Sequence, residues 1–273
     1  MAFRQQLAKA TGLKEKILPK GYQLVGDIVL LKLRKAKTSE KKKIADSILS
    51  MIPYAKCVVE INGISGEFRE PKIQILAGSR TDTIHIENGV KYHIDVSKVM
   101  FSKGNVEERQ RLLDEIKPGE TVVDMFAGIG YFSLPIAKHT KAGKIVSIEK
   151  NIQAFRLLKD NIRLNNVQNV DAIWGDCRDF SDSVKNFANR VLMGYFPGTE
   201  EFLPHAIKIA KDGATVHFHN VYAKKDLWEK PLAEIKEACK AEGCKSAILQ
   251  KRKVKSFSPG KHHIVVDFRL HRA

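Results

Sequence analysis

The chain has 273 residues, of which 43% are hydrophobic, enough for a substantial core and, at roughly 150 residues each, for about two domains. Lys and Arg number 47 against 31 Asp and Glu, a formal net charge of +16; thermophilic adaptation raises Lys and Glu together and does not give such a one-sided excess, whereas a polyanionic partner does. No apolar run approaches the ~20 residues of a membrane span, the opening MAFRQQLAKATG lacks the apolar segment of a secretion signal, and Cys57, Cys177, Cys239 and Cys244 show no CxxC spacing, so they read as reduced thiols of a cytoplasmic protein.

Residues 22–33 are rich in aliphatic residues with weak alternation, which predicts a strand or hairpin. Ser39 is a candidate N-cap for a helix over EKKKIADSILSMI. Cys57 to Ile61 reads as a strand ended by the turn signal Asn62-Gly63, and Lys72 to Leu76 as another ended by Gly78. Val90, Tyr92, Ile94 and Val96 alternate strictly and, with Thr83 to Ile86, predict a hairpin around Glu87-Asn88-Gly89. A small N-terminal α+β domain with antiparallel strands is expected over residues 1–98. Residues 99–119 form a linker and a helix, Val106 to Ile116.

From Thr121 strands and helices alternate. Val122-Val123 ends at Asp124, Gly128 and Gly130 turn the chain, and a helical pattern starts at Tyr131. Strand Lys144 to Ile148 ends at Glu149, Val170 to Trp174 at Gly175-Asp176, and Val191 to Met193 at Gly194-Tyr195. Thr199 is a candidate helix cap. Strand Ala214 to Phe218 ends in His219-Asn220. A helix over Leu227 to Ala241 precedes a final hairpin with strands Ser246 to Lys251 and Ile264 to Leu270 around a loop, Lys255 to His262. Residues 120–273 are therefore expected to form a mostly parallel α/β sheet with an antiparallel C-terminal edge.

In such a sheet ligands lie beyond the carboxyl ends of the strands. Glu149 is placed to accept hydrogen bonds from two ribose hydroxyls. Asp176 is placed to accept from an adenine amino group, and the following backbone N–H, of Cys177, to reach a ring nitrogen. A solvated strand-end acid and a helix cap are the plain alternatives for the two carboxylates. Ser133 stands where the dinucleotide fingerprint has its third Gly, and no P-loop is present. His217 and His219 share one strand face without an evident third ligand, so no metal is expected; structural hydrogen bonds, or contact with an acceptor base or a donor tail, are the readings for them. Tyr195 and Phe196 are candidates for base stacking or for core packing, and Trp174 and Trp228 for core or rim packing.

The pattern DxFxGxG at Asp124 to Gly130 resembles the first motif of class I methyltransferase-fold (Rossmann-like) proteins, which bind S-adenosylmethionine (SAM). EFREPKIQILAG, ENGVKYHIDVSKVMFSKGNVEERQRL and DMFAGIGYFSLPIAKH further resemble the archaeal–eukaryotic family that modifies guanosine 37 of tRNA. One branch methylates N1 of that guanosine. The other transfers the 3-amino-3-carboxypropyl group of SAM to C7 of the wyosine precursor 4-demethylwyosine, releasing methylthioadenosine. The resemblance implies SAM as group donor, held by Ser102, Arg109, Gly128, Glu149, Asp176 and Cys177, with Arg109 suited to clamp a carboxylate. It implies tRNA as partner, contacted at the anticodon stem-loop by a monomeric protein. Base-nitrogen methyltransferases carry Asn or Asp followed by Pro after the fourth strand. Here Gly194 leaves room for a differently placed tail or a three-ring base, and Thr215 to Asn220 resembles the aminocarboxypropyl branch, which is the preferred reading. His219, Asn220 and Tyr195 are substrate-pocket candidates; no general base is assigned. N1 methylation, and a tRNA-binding module that no longer catalyses, are the alternatives.

Overall fold

The computed structural model describes residues 2–33, 35–102 and 105–272. The chain divides into two compact units, Met1–Phe101 and Ser102–Ala273. Lys103 and Gly104 of the expected linker lie outside the described residues.

The first unit opens with helix α1 (Phe3–Thr11), which the sequence reading missed because only Leu7 and Thr11 are buried on it. A four-stranded sheet follows in the order β1 (Gln23–Val25), β2 (Ile28–Leu31), β3 (Cys57–Ser65), β4 (Glu70–Ala77). The expected all-antiparallel arrangement is corrected at β2 and β3, which pair in parallel. Helix α2 (Thr38–Met51) makes the crossover and buries Ile44, Ala45 and Ile48. Its cap is Lys37, whose backbone N–H donates to Glu40 at 2.7 Å, and not Ser39. Asn62-Gly63 does not end β3; Gly63, at φ 159°, keeps extended backbone and sits at a shift in register. Strands β5 (Asp82–Glu87) and β6 (Val90–Asp95) form the expected hairpin, with Asn88 and Gly89 both at positive φ, the turn such a two-residue loop requires.

The second unit begins with α3 (Val106–Glu115) and builds a seven-stranded sheet. Its strands are β7 (Thr121–Asp124), β8 (Lys144–Glu149), β9 (Val170–Trp174), β10 (Ala188–Met193), β11 (Ala210–Ala223), β12 (Cys244–Ser258) and β13 (Lys261–Arg272). The order is β12-β13-β11-β10-β7-β8-β9, with β13 antiparallel to both neighbours and β11, β10, β7, β8 and β9 parallel. Helices α4 (Ser133–His139), α5 (Ile152–Leu164), α6 (Cys177–Ser183), α7 (Leu203–Ile209) and α8 (Glu229–Ala241) lie between the strands in sequence. The central strands bury Val122, Val123, Ile145, Val146, Ile148, Val191, Leu192 and Met193. Continuous apolar runs are what a sheet covered on both faces demands, and each such side chain contributes about 1.5–3 kcal/mol on burial. This is the expected class I methyltransferase-like fold with an antiparallel edge.

Three local expectations are corrected here. Thr199 caps no helix: it begins a short 3-10 turn, Thr199–Phe202, preceded by Gly198, its hydroxyl donates to the Tyr195 carbonyl, and α7 starts from Phe202. His219 and Asn220 lie inside β11, which runs on to Ala223. The expected loop Lys255 to His262 is mostly strand: Ser258 pairs with Lys261, leaving only Pro259 and Gly260 to turn the hairpin. All four cysteines are free and buried. Among the described residues no helix is long and apolar enough to cross a membrane.

Candidate active site

The sheet order reverses between β7 and β10, and their carboxyl ends open the crevice where α/β sheets take ligands. Asp124 at the end of β7 is fully buried. Its Oδ2 accepts from the Ser133 hydroxyl at 2.8 Å and its Oδ1 from the Phe126 N–H at 3.3 Å. Ser147 donates to Ser133 at 2.8 Å, so a hydroxyl relay ties β8 and α4 to the acid. Burial pushes the Asp124 pKa up to about 6 against these hydrogen bonds. The two glycines have different reasons. At Gly130 (φ +96°) an added Cβ would lie 2.6 Å from Leu134 and 3.1 Å from Leu158, so this glycine lets the helix pack onto the turn. At Gly128 (φ +58°) the same atom would meet the Tyr131 ring.

Glu149 closes this cradle. One carboxylate oxygen accepts from the Gly128 N–H and the other from the Asn151 N–H, both at 2.7 Å. Each oxygen keeps a further lone pair. Burial pushes its pKa up to about 6 despite both bonds. Arg109 is 4% exposed, which excludes a surface cation, and its charge acts on Tyr131, as does that of Glu149. Asp176 caps α6, accepting from the Arg178 N–H at 3.0 Å. It also pairs with the Arg178 side chain at 2.6 Å and Lys150 at 3.3 Å; Arg178 above all holds its carboxyl far below the usual range. The helix-cap alternative is thus realised, and the cap leaves Asp176 at the mouth of β9. Cys177 is buried, and burial pushes its thiol up to about 12, so any ligand role falls to its backbone N–H in the first turn. Trp174 is 60% exposed, against the expected packing role, and donates to the Lys150 carbonyl. Trp228 does pack against the core.

A second group lies at the ends of β10, β11, β12 and β13. The space beside Gly194 is filled: a Cβ there would lie 2.9 Å from the Phe132 ring. That ring also meets His219, with 5.5 Å between centroids. The expected open room is thereby corrected; the missing side chain makes way for Phe132. Tyr195 stacks on Phe126 at 5.1 Å and meets Phe202 edge-on, a packing role. Phe196 stacks on His263 at 4.0 Å and meets Phe257 edge-on at 6.0 Å. His219 Nδ1 lies 3.1 Å from His263 Nε2. Burial pushes both imidazoles down, His219 well below its ordinary value and His263, beside Lys255, to about 3. Both are neutral near pH 7. Asn220 is committed internally: its amide donates to Glu200 at 2.6 Å and to Tyr222 at 3.1 Å, and its oxygen accepts from Gly198 and Val221. It therefore ties the loop after β10 to β11.

Ser102 and Asn105 each accept from Lys255 Nζ at 2.8 Å. His217 stands apart from His219. Its Nε2 accepts from Arg190 at 2.7 Å, so its hydrogen sits on Nδ1 and donates to Asp267 at 2.6 Å. Asp267 also accepts from Arg111 at 2.7 Å, and Arg111 pairs with Glu108 at 2.5 Å and with Glu115. Burial would raise the Asp267 pKa, yet His217 and Arg111 hold it at about 2. Glu115, His217 and Asp267 do bring ligand-type atoms within 4.8 Å of one another, partners the sequence spacing did not reveal. The two guanidinium groups engage those atoms, so the cluster reads as an ion-pair network. Sequence reasoning also missed Lys255, His263, Phe132 and Ser133; only strand register and helix packing bring them to the site.

Comparison with known proteins shows the family to which the chain is related. The TRM5/TYW2 methyltransferase domain model matches residues 83–247 and the TYW2 N-terminal domain model residues 4–81. A tRNA(Phe) (4-demethylwyosine(37)-C(7)) aminocarboxypropyltransferase of Pyrococcus horikoshii is 43% identical over 94% of this chain and 92% of its own length. The tRNA (guanine(37)-N(1))-methyltransferase Trm5b of Pyrococcus abyssi is 34% identical over 93% of this chain and 76% of its own. A crystal structure of P. horikoshii TYW2 in complex with MeSAdo superposes with a TM-score of 0.87 at 39% identity, covering 99% of this chain and 100% of that one. The chain belongs to the TRM5/TYW2 methyltransferase-domain family.

Proposed function

We infer that this chain is a SAM-dependent tRNA aminocarboxypropyltransferase. It moves the 3-amino-3-carboxypropyl group of SAM to C7 of 4-demethylwyosine at position 37 of tRNA(Phe) and releases methylthioadenosine. The observation that carries the choice over N1 methylation is the end of β10. There Gly194, with Phe132 packed against it, offers no polar side chain to steer a ring nitrogen. The relative of that activity, 43% identical across nearly both chains, supports it.

The donor side fits SAM. Glu149 has spare lone pairs for ribose hydroxyls, Asp176 and the Cys177 N–H stand at the mouth of β9 for the adenine, and Gly128 supplies the turn over which the sulfonium would lie. Arg109 adds positive charge beside Tyr131, and Ser102 borders the donor's tail. When bound, SAM supplies a sulfonium whose C–S bond breaks with both electrons going to sulfur, so the leaving group is neutral. C7 of the base forms the new C–C bond to the γ-carbon and gives up its hydrogen as a proton to water. His219 and His263, neutral and weakly basic, floor the acceptor side without serving as bases. The protein's contribution is alignment.

We further propose that the first unit and the basic surface hold the anticodon stem-loop, that unpaired loop bases are read directly, and that the enzyme works as a cytoplasmic monomer. The test is isotopic. SAM labelled at its carboxyl carbon should pass its label to tRNA carrying 4-demethylwyosine, and SAM labelled at the methyl carbon should not. Label from the methyl carbon alone would replace this reading with methylation.

A further inference from the structure

Lys255 is half-buried on β12 and stands directly opposite His263 of β13 in the strand register, so the two side chains share a sheet face. Its Nζ donates to Ser102 and Asn105 at 2.8 Å each, and its charge acts on His263. One ammonium therefore borders both sides of the reaction: Ser102, assigned above to the donor, and the His263–His219 pair beneath Phe196 on the acceptor side.

Methyl transfer leaves the amino-acid tail where it was bound. Aminocarboxypropyl transfer carries the tail, with its carboxylate, from sulfur to the base. A carboxylate that changes place needs a counter-charge that can follow it. The cations nearby differ in this respect. Arg190 is engaged by Glu120 and His217, and Arg111 by Asp267 and Glu108, in buried pairs. Arg109 lies on the Tyr131 side. The imidazoles on the acceptor side are neutral. An ammonium on a flexible four-carbon stem is a point charge that tolerates a moving partner, whereas a guanidinium prefers one fixed bidentate geometry.

We propose that Lys255 binds the carboxylate of the donor's amino-acid tail and keeps hold of it as the tail passes to the acceptor. This rests on the aminocarboxypropyl reading and adds to it the positioning residue that separates tail transfer from methyl transfer.

The test compares SAM with methylthioadenosine, which lacks the amino-acid tail and, with it, the positive charge on sulfur. SAM and methylthioadenosine are titrated calorimetrically into wild-type protein and the Lys255→Met, Lys255→Gln and Lys255→Arg variants. Lys255→Met and Lys255→Gln should bind SAM at least about tenfold more weakly, the lower end for a charged hydrogen bond. Methylthioadenosine should bind them within twofold of wild type, which also certifies the fold. Lys255→Arg should recover most of the SAM affinity. An equal loss for both ligands would make Lys255 only a brace for Ser102 and Asn105 and would overturn the proposal. Unchanged SAM binding would overturn it as well. In either case wild-type binding of both ligands leaves the donor reading standing; a wild-type protein that binds neither ligand would bring down both.

Discussion

Replacing Glu149 by Gln tests the donor cradle with the loss of one oxygen. The carboxylate accepts two backbone N–H groups at 2.7 Å, from Gly128 and Asn151, and offers its remaining lone pairs to ribose. A glutamine keeps one oxygen and turns an NH2 group toward one of those N–H groups. At least one charge-assisted bond to the ribose is lost, about 1.5–3 kcal/mol, which is roughly tenfold to 150-fold in affinity. Methylthioadenosine is the right probe, because it retains the ribose and lacks the tail. The pH profile adds a second signature. Burial raises the Glu149 pKa from 4.5 to about 6, so the folded protein favours the protonated form. The group's contribution to stability is full below pH 4.5 and is lost as pH rises through about 6. Ribose binding runs the other way, since it needs the carboxylate, and should weaken as pH falls through about 6. In Glu149→Gln that dependence should flatten; what remains belongs to Asp124, also raised to about 6. Calorimetry at pH 8 and pH 5.5 measures both. A variant within twofold of wild type at pH 8, or with the same pH profile, would refute the assignment.

Other residues give independent checks. Gly194→Ala should force its Cβ against the Phe132 ring, 2.9 Å away, and cost about 1–3 kcal/mol by overpacking; thermal melting should show the loss, and adding Phe132→Leu should recover much of it. Arg111→Met should leave the Asp267 and Glu108 carboxylates buried without their cation, a loss of about 3–5 kcal/mol visible in denaturant unfolding; a change under 1 kcal/mol would mean the network is screened. With a net charge of +16, tRNA affinity should fall linearly on a log–log plot against salt; filter binding that ignores salt would remove the electrostatic part of the account.

The alternation of strands and helices from Thr121 onward was readable because parallel strands covered on both faces are unbroken apolar runs. The acids and glycines that follow them, Asp124, Glu149, Asp176 and Gly194, were readable for the same reason. What escaped had little local signal. Helix α1 buries too few residues to show a period. Strands β11, β12 and β13 run past their apolar stretches because they are held by pairing with one another, and charged residues on the exposed side of β12 read as loop. The union of Lys255 with His263, and of His217 with Asp267, depends on that register. Asn220 was singled out as a pocket residue, but partners distant in sequence, such as Glu200 and Gly198, decide what its amide does.

The fate of SAM tests the central claim most directly. The protein is incubated with SAM and tRNA carrying 4-demethylwyosine, and the nucleoside by-product is identified by chromatography and mass. Methylthioadenosine is the product this account predicts, because the γ-carbon leaves the sulfur. S-adenosylhomocysteine would mean that the methyl carbon is transferred and would contradict it.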